Sequence, residues 1–262
     1  MANASSIGEF ADEAGNERRG IQSIEIGLRL IDTLRDAPGP LSLKALATNA
    51  RLPLSNCHRY CVSFVRSAYM QQDVRTGRYD LGPRLIAAGL AALGRSDAVA
   101  AATDALEALV DETGNTGQLA VWGDRGPTIV RWINGRAAVR TSMNAGATLP
   151  LLTSATGRVF LGFLPRRQTA ALAAHEAMAG GGDPDTLAAQ TFARGIGHVE
   201  GDHIPGLSAL AAPVLDAFGE AAAVIALVGT RDGIAPEAAA SLRSASAAAS
   251  ARLGWQSAAV AT

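Results

Sequence analysis

The sequence has no run of about 18 apolar residues, the length a helix needs to cross a bilayer, so no single-helix span and no membrane partner are expected. Cysteine is scarce: two in 262 residues exclude a disulfide framework and fit a reducing cytoplasm. An excess of one charge is missing too, the formal net charge being −1. Enzyme signatures are equally thin. Gly206-Leu207-Ser208-Ala209-Leu210 lacks the second glycine of a nucleophile elbow, and Ser208 starts a strand instead of sitting between strand and helix. Gly195-Ile196-Gly197-His198-Val199-Glu200-Gly201 has one residue too many for a dinucleotide loop, with no clear strand before it. There is no phosphate loop, and no cofactor is expected. His198, Glu200, Asp202 and His203 are metal-ligating residue types, but nothing resembles H-E-x-x-H. They are read as a solvated polar loop, with no metal assigned.

The near-zero net charge conceals a division. From Arg18 to Arg84 there are eleven Arg/Lys against five Asp/Glu, a surplus of six. Residues 1–17 carry four acids and no base, and residues 85–262 carry fifteen acids against twelve bases. Basic charge is thus concentrated where phosphate neutralisation would use it.

That basic segment has the pattern of a winged helix-turn-helix. Apolar residues at Ile21, Ile24, Leu28, Ile31 and Leu34, close to helical spacing, predict a first helix over 21–36 that joins the next two in a three-helix core and is ended by Pro38-Gly39-Pro40. A second helix starts at Ser42, and Leu52-Pro53 breaks it. The third is expected to be capped by Ser55 and to run from Asn56 to Val65, followed by a hairpin, Tyr69–Val74 and Arg78–Leu81, turning at Thr76-Gly77. Such a unit lays one helix in a DNA major groove. Cys57, Cys61, Phe64 and Ala68 fall on one face of that helix, where both cysteines act as small core residues. Ser55, Asn56, His58, Arg59, Ser63 and Arg66 fall on others. Arg59 is suited to guanine or phosphate, Asn56 to adenine, and Ser55 to phosphate. With His58, with Ser42 and Lys44 at the start of the second helix, and with Arg75 and Arg78 at the wing tip, these are the candidate DNA-binding residues. Arg18 and Arg19 are weaker candidates on a flexible arm.

The rest reads as a second domain. A helix over Leu85–Leu93 leaves the DNA-binding unit, and another follows from Ala98 to Thr113. Strands are expected at Gln118–Trp122, Thr128–Ile133, Ala138–Met143, Ser208–Leu215 and Ala222–Val228. Helices are expected at Ser154–Leu164, Arg166–Ala179, Pro184–Arg194 and Pro236–Leu253. Hairpin-length turns among helices indicate an α+β domain on a mainly antiparallel sheet. The expected organisation is a disordered tail at 1–19 that is no signal peptide, a DNA-binding domain at 20–82, a linker helix at 83–96, a second domain at 97–255 and a tail at 256–262.

Several segments together resemble the IclR family of bacterial transcriptional regulators: Gly20–Glu25, Leu52–Tyr60, Gly77–Gly82, Leu149–Arg158 and Gly206–Val214. The resemblance covers about residues 20–255 in order and spacing. It implies an N-terminal winged helix joined by a linker helix to a GAF-like effector-binding domain. It also implies a homodimer, often paired into a tetramer, on double-stranded operator DNA, with a small organic effector such as a carboxylate or aromatic metabolite. Thr141, Met143, Leu149, Ala155, Thr156, Leu207, Ala209, Ala226 and Val228 match the positions that line the effector pocket. Some relatives have hydroxyl residues where Ala226 and Val228 stand, so a more apolar effector, an aromatic acid, is expected over a small 2-oxo acid. Backbone N–H groups at Ser154–Gly157 would begin a helix, a ready anion site. The expectation is therefore a cytoplasmic, ligand-responsive DNA-binding regulator without catalytic activity. The alternatives left open are a second domain that only oligomerises, and a hydrolase using Ser208 or the His198–His203 loop.

Overall fold

The computed structural model describes residues 20–94, 97–136, 139, 141 and 143–256. These fall into two compact units that divide between Ala92 and Leu93. In the first, helices α1 (Gln22–Arg35), α2 (Leu43–Asn49) and α3 (Leu54–Arg66) precede a short antiparallel hairpin, β1 (Met70–Gln72) and β2 (Tyr79–Leu81). The helix α4 (Pro83–Gly94) follows. Ser42 caps α2, its side chain accepting the Ala45 N–H. Arg51 then takes a left-handed conformation (φ 55°), and the Leu52 N–H reaches back to the Ala47 carbonyl, ending α2 within one turn. Leu30, Leu34, Leu46, Cys57, Cys61, Met70 and Tyr79 form the core. Each fully buried leucine there contributes about 1.5–3 kcal/mol relative to exposure.

One local expectation changes. α3 begins at Leu54 with Pro53 in the cap position, so Ser55 lies inside the first turn and caps nothing. α1 buries Gly27, Leu30 and Leu34, while Ile21, Ile24 and Leu28 are 64%, 55% and 56% exposed. The reason is Gly27: a Cβ there would stand 2.9 Å from the ring of Phe64, so the bare backbone is itself the contact with α3. Counting apolar side chains overlooks such a face.

The second unit is an antiparallel sheet between helices. Its elements are α5 (Asp97–Thr113), β3 (Thr116–Gly123), β4 (Gly126–Ile133), α6 (Ala155–Phe163), α7 (Arg166–Met178), α8 (Pro184–Arg194), β5 (Gly197–Glu200), β6 (Leu207–Leu215), β7 (Ala221–Thr230) and α9 (Ala238–Arg252). The strand order is β4-β3-β7-β6-β5. One face carries Leu119, Leu210, Ile225 and Leu227 against α5 and α9, burying Leu106, Leu109 and Leu242. The other carries Ala120, Ala211, Val224 and Ala226 under α6, with Val159 and Phe160 between. β5 replaces part of the expected polar loop, because Val199 alternates into the core between exposed His198 and Glu200. Much of the strand expected at Ala138–Met143 lies outside the described residues, and Val139, Thr141 and Met143 within it belong to no strand.

Candidate functional site

In the first unit, the outward face of α3 presents Ser55, Asn56, His58, Arg59, Ser63 and Arg66, all exposed. Asn56, Arg59, Tyr60 and Ser63 line a hollow shared with Ser23 and Ile26 of α1 and with Leu52. Ser42 and Lys44 are exposed at the start of α2. The turn between β1 and β2 is built by Asp73, whose carboxylate accepts the Arg75 N–H (2.9 Å), the Thr76 N–H (2.6 Å) and the Thr76 hydroxyl (2.9 Å). These bonds hold the Asp73 carboxyl below the usual carboxylate range. The turn leaves Arg75 outward. Arg78 is partly engaged within the unit, donating from Nη1 to the Pro40 carbonyl at 3.0 Å. Arg18 and Arg19 lie outside the described residues.

In the second unit, α6 starts over the sheet and leaves a cavity beside its first turn. The register explains the space. Gln118, Ala226, Ala211 and Gly197 form one row across β3, β7, β6 and β5. Gly197 allows the closest approach: a Cβ there would lie 2.3 Å from the Ala155 carbonyl oxygen. The next row includes Val228, Ala209 and Val199. Small side chains on these strands leave a cavity of about 40 Å3, within about 430 Å3 of space that protein atoms do not fill and that opens in part to solvent. Of the residues expected around an effector, Met143, Leu149, Ala155, Thr156, Leu207, Ala209, Ala226 and Val228 line it. Thr141 does not; its hydroxyl is turned to its own chain, accepting the Met143 N–H at 3.1 Å. Gln118, Ser154, Val199, His203, Ile204 and Ser208 line it as well.

The walls are mostly apolar, and most polar groups in them are committed. Ser154 caps α6, accepting the Gly157 N–H at 2.9 Å while donating to the Pro150 carbonyl at 2.6 Å. Ser208 Oγ donates to the Val199 carbonyl at 3.3 Å. Gln118 Nε2 donates to Thr156 Oγ1 at 3.0 Å. The first N–H groups of α6 carry the positive end of its dipole, which suits an anion. His203 flanks the cavity; burial lowers its pKa, opposed in part by the Glu176 charge. The four metal-ligating residue types do not converge. His198 Nε2 and Glu200 Oε1 meet at 3.4 Å on β5, but Asp202 is paired with Arg158 and His203 borders the cavity. Among the described residues no three His, Cys, Asp or Glu side chains are placed to share an ion.

With this geometry in hand, comparison with known proteins is specific. Residues 23–74 match the family described as "IclR helix-turn-helix domain", and residues 90–253 match "Bacterial transcriptional regulator IclR C-terminal". The Transcriptional repressor IclR of Escherichia coli (strain K12) is 27% identical over 219 residues, 80% of each chain. The crystal structure of Pseudomonas aeruginosa HmgR is 38% identical with a TM-score of 0.75, over 90% of this chain and 100% of that one. An IclR homologue from Microbacterium hydrocarbonoxydans, crystallised in complex with 4-hydroxybenzoate, shares the fold (TM-score 0.74, 18% identity, 88% of this chain and 98% of that one).

Proposed function

Because the chain belongs to the IclR family of bacterial transcriptional regulators, we propose that α3 reads operator DNA while the cavity under α6 receives a small organic acid that controls it. The observation that carries this reading is an apolar cavity with a helix N-terminus at one end, a combination suited to an apolar body and an anionic head. Ala226 and Val228 offer no hydroxyl, which favours an aromatic acid over a small 2-oxo acid. The same fold accepts 4-hydroxybenzoate in the Microbacterium homologue.

On this reading Asn56, Arg59 and His58 meet base edges, while Ser42, Lys44, Ser55, Arg75 and Arg78 position the unit on phosphates. A palindromic operator calls for a homo-oligomer, a dimer or a pair of dimers, and exposed Ile24 and Leu28 on α1, with Ile21 at its cap position, offer apolar surface for one. α4 serves as the linker helix. Effector and operator then influence each other reciprocally, with a coupling of about 1–3 kcal/mol. On this reading the protein acts in the cytoplasm as a binder rather than a hydrolase, and Ser208 serves the sheet by donating to the Val199 carbonyl. The test is gel-shift titration on the DNA upstream of the gene, with and without a panel of aromatic and aliphatic carboxylates. Tight, salt-sensitive binding altered by one compound supports the reading. Binding indifferent to every compound would leave the second domain an oligomerisation module.

A further inference from the structure

Gln118 is the anomaly of the cavity. It sits on β3 in a row otherwise made of Ala226, Ala211 and Gly197, and is only 2% exposed. A glutamine in that setting carries two polar ends that need partners. Its Nε2 has one in Thr156 Oγ1. Its Oε1 has none within the protein among the described residues, and yet no fully buried side-chain polar atom there lacks a partner. Oε1 therefore reaches the cavity surface. The Thr156 hydroxyl, which can accept or donate, accepts from Nε2 in this arrangement and leaves Oε1 to the cavity. With Nε2 held by the hydroxyl, the amide presents an acceptor beside the first turn of α6, whose N–H groups present donors.

From this pairing we propose that Gln118 sets the specificity of the cavity, selecting a carboxylate that carries a hydroxyl close to the carboxyl group. The proposal rests on the effector reading above. The carboxylate takes the Ala155 and Thr156 N–H groups, Gly157 being capped by Ser154, the hydroxyl donates to Gln118 Oε1, and the ring or chain lies against Leu149, Leu207 and Val228. A ligand without the hydroxyl buries Oε1 with nothing to meet it, and discrimination against it follows from that stranded acceptor. The 3.0 Å bond from Gln118 Nε2 to Thr156 Oγ1 sets the amide beside the first turn of α6, so the hydroxyl it meets is one near the carboxylate.

The test is calorimetric titration of the full chain with benzoate, 2-hydroxybenzoate and 4-hydroxybenzoate, and with phenylacetate and its 2- and 4-hydroxy derivatives. In the wild type, a 2-hydroxy compound is expected to bind about tenfold tighter than its unsubstituted parent. Gln118→Met is expected to bring that ratio close to one while the parent keeps its affinity. Thr156→Val, which frees the amide to turn, is expected to reduce the ratio as well, and keeps the proposal testable if Gln118→Met does not fold. A preference that survives both variants overturns the proposal, as does an equal loss for all compounds, which would put the amide on the carboxylate. Wild type that binds the acids with no hydroxyl preference ends this proposal alone. Wild type that binds none of them, in titration or gel shift, ends the effector reading and the proposal together.

Discussion

Arg158 Nη2 and Asp202 Oδ2 meet at 2.7 Å, and the same guanidinium donates from Nε to the Leu152 carbonyl (2.8 Å) and from Nη1 to the His198 carbonyl (2.9 Å). One side chain of α6 thereby ties together the turn before that helix, the edge strand β5 and the segment bearing His203 and Ile204. The latter two line the cavity, so its wall depends on a residue that is not in its lining.

Removing this tie should loosen the wall. Arg158→Met strands two carbonyls and frees Asp202, and with the pair partly exposed a loss of about 1–2 kcal/mol in denaturant unfolding is expected. Asp202→Asn leaves both carbonyl bonds in place and should cost less than about 1 kcal/mol. Stopped-flow effector release is expected to be faster in Arg158→Met. Wild-type stability in that variant would show that the three bonds contribute nothing net.

The DNA-facing residues should separate by role. Arg59→Ala is expected to lose about 1–3 kcal/mol per half-site on operator with little change on unrelated duplex, if Arg59 reads a base. Arg75→Ala should weaken every sequence alike and lower the slope of log affinity against log salt by about one, the mark of a phosphate contact. Fluorescence anisotropy at several salt concentrations distinguishes them, and an operator affinity unchanged in a folded Arg59→Ala protein removes Arg59 from the interface.

What the sequence announces and what it conceals follow from periodicity. Helices such as α5, α8 and α9 are legible because long apolar or alanine-rich runs end at Gly114, Gly195 and Gly254. β5 is not, because four residues with one buried valine give alternation too little length to stand out from a polar loop. The cavity shows the same split. Leu149, Ala155, Leu207 and Ala226 are found by resemblance, but Gln118 is not, although a lone glutamine in an otherwise apolar strand is a signal. Its importance appears only when the register sets it beside Ala226 and under Thr156. The capping role assigned to Ser55 fails for a local reason: Pro53 and Leu54 start the helix first, so the serine arrives a turn position late.

The cysteines should be inert while the protein is folded. Cys57 and Cys61 lie 4.0 Å apart, Sγ to Sγ, with neither exposed. Burial pushes the Cys61 thiol up to about 12 and raises Cys57 too, so almost no thiolate exists near neutrality. Modification by an aromatic disulfide reagent at pH 8 is expected to proceed at the rate of unfolding, with both thiols lost together. Rapid stoichiometric labelling in native buffer would contradict the packing of α3.

His203 should make both stability and effector binding depend on pH, each with a defined sign. The residue as a whole is exposed, but partial burial of its imidazole beside the cavity holds it below the ordinary value of 6.5, against the pull of the Glu176 charge. The unfolded chain then binds the proton more readily than the folded one. The contribution of His203 to stability is complete above about pH 6.5, falls as the pH drops through the folded pKa, and is constant below it. His203→Gln should therefore unfold with a shallower acid slope in that window than wild type. A carboxylate in the cavity acts the other way, since an anion nearby favours the imidazolium. Effector binding in this window is expected to take up protons and to tighten as the pH falls. Titration calorimetry in two buffers of different ionisation enthalpy measures that uptake directly. No uptake in wild type, or the same uptake in His203→Gln, would place the carboxylate away from His203.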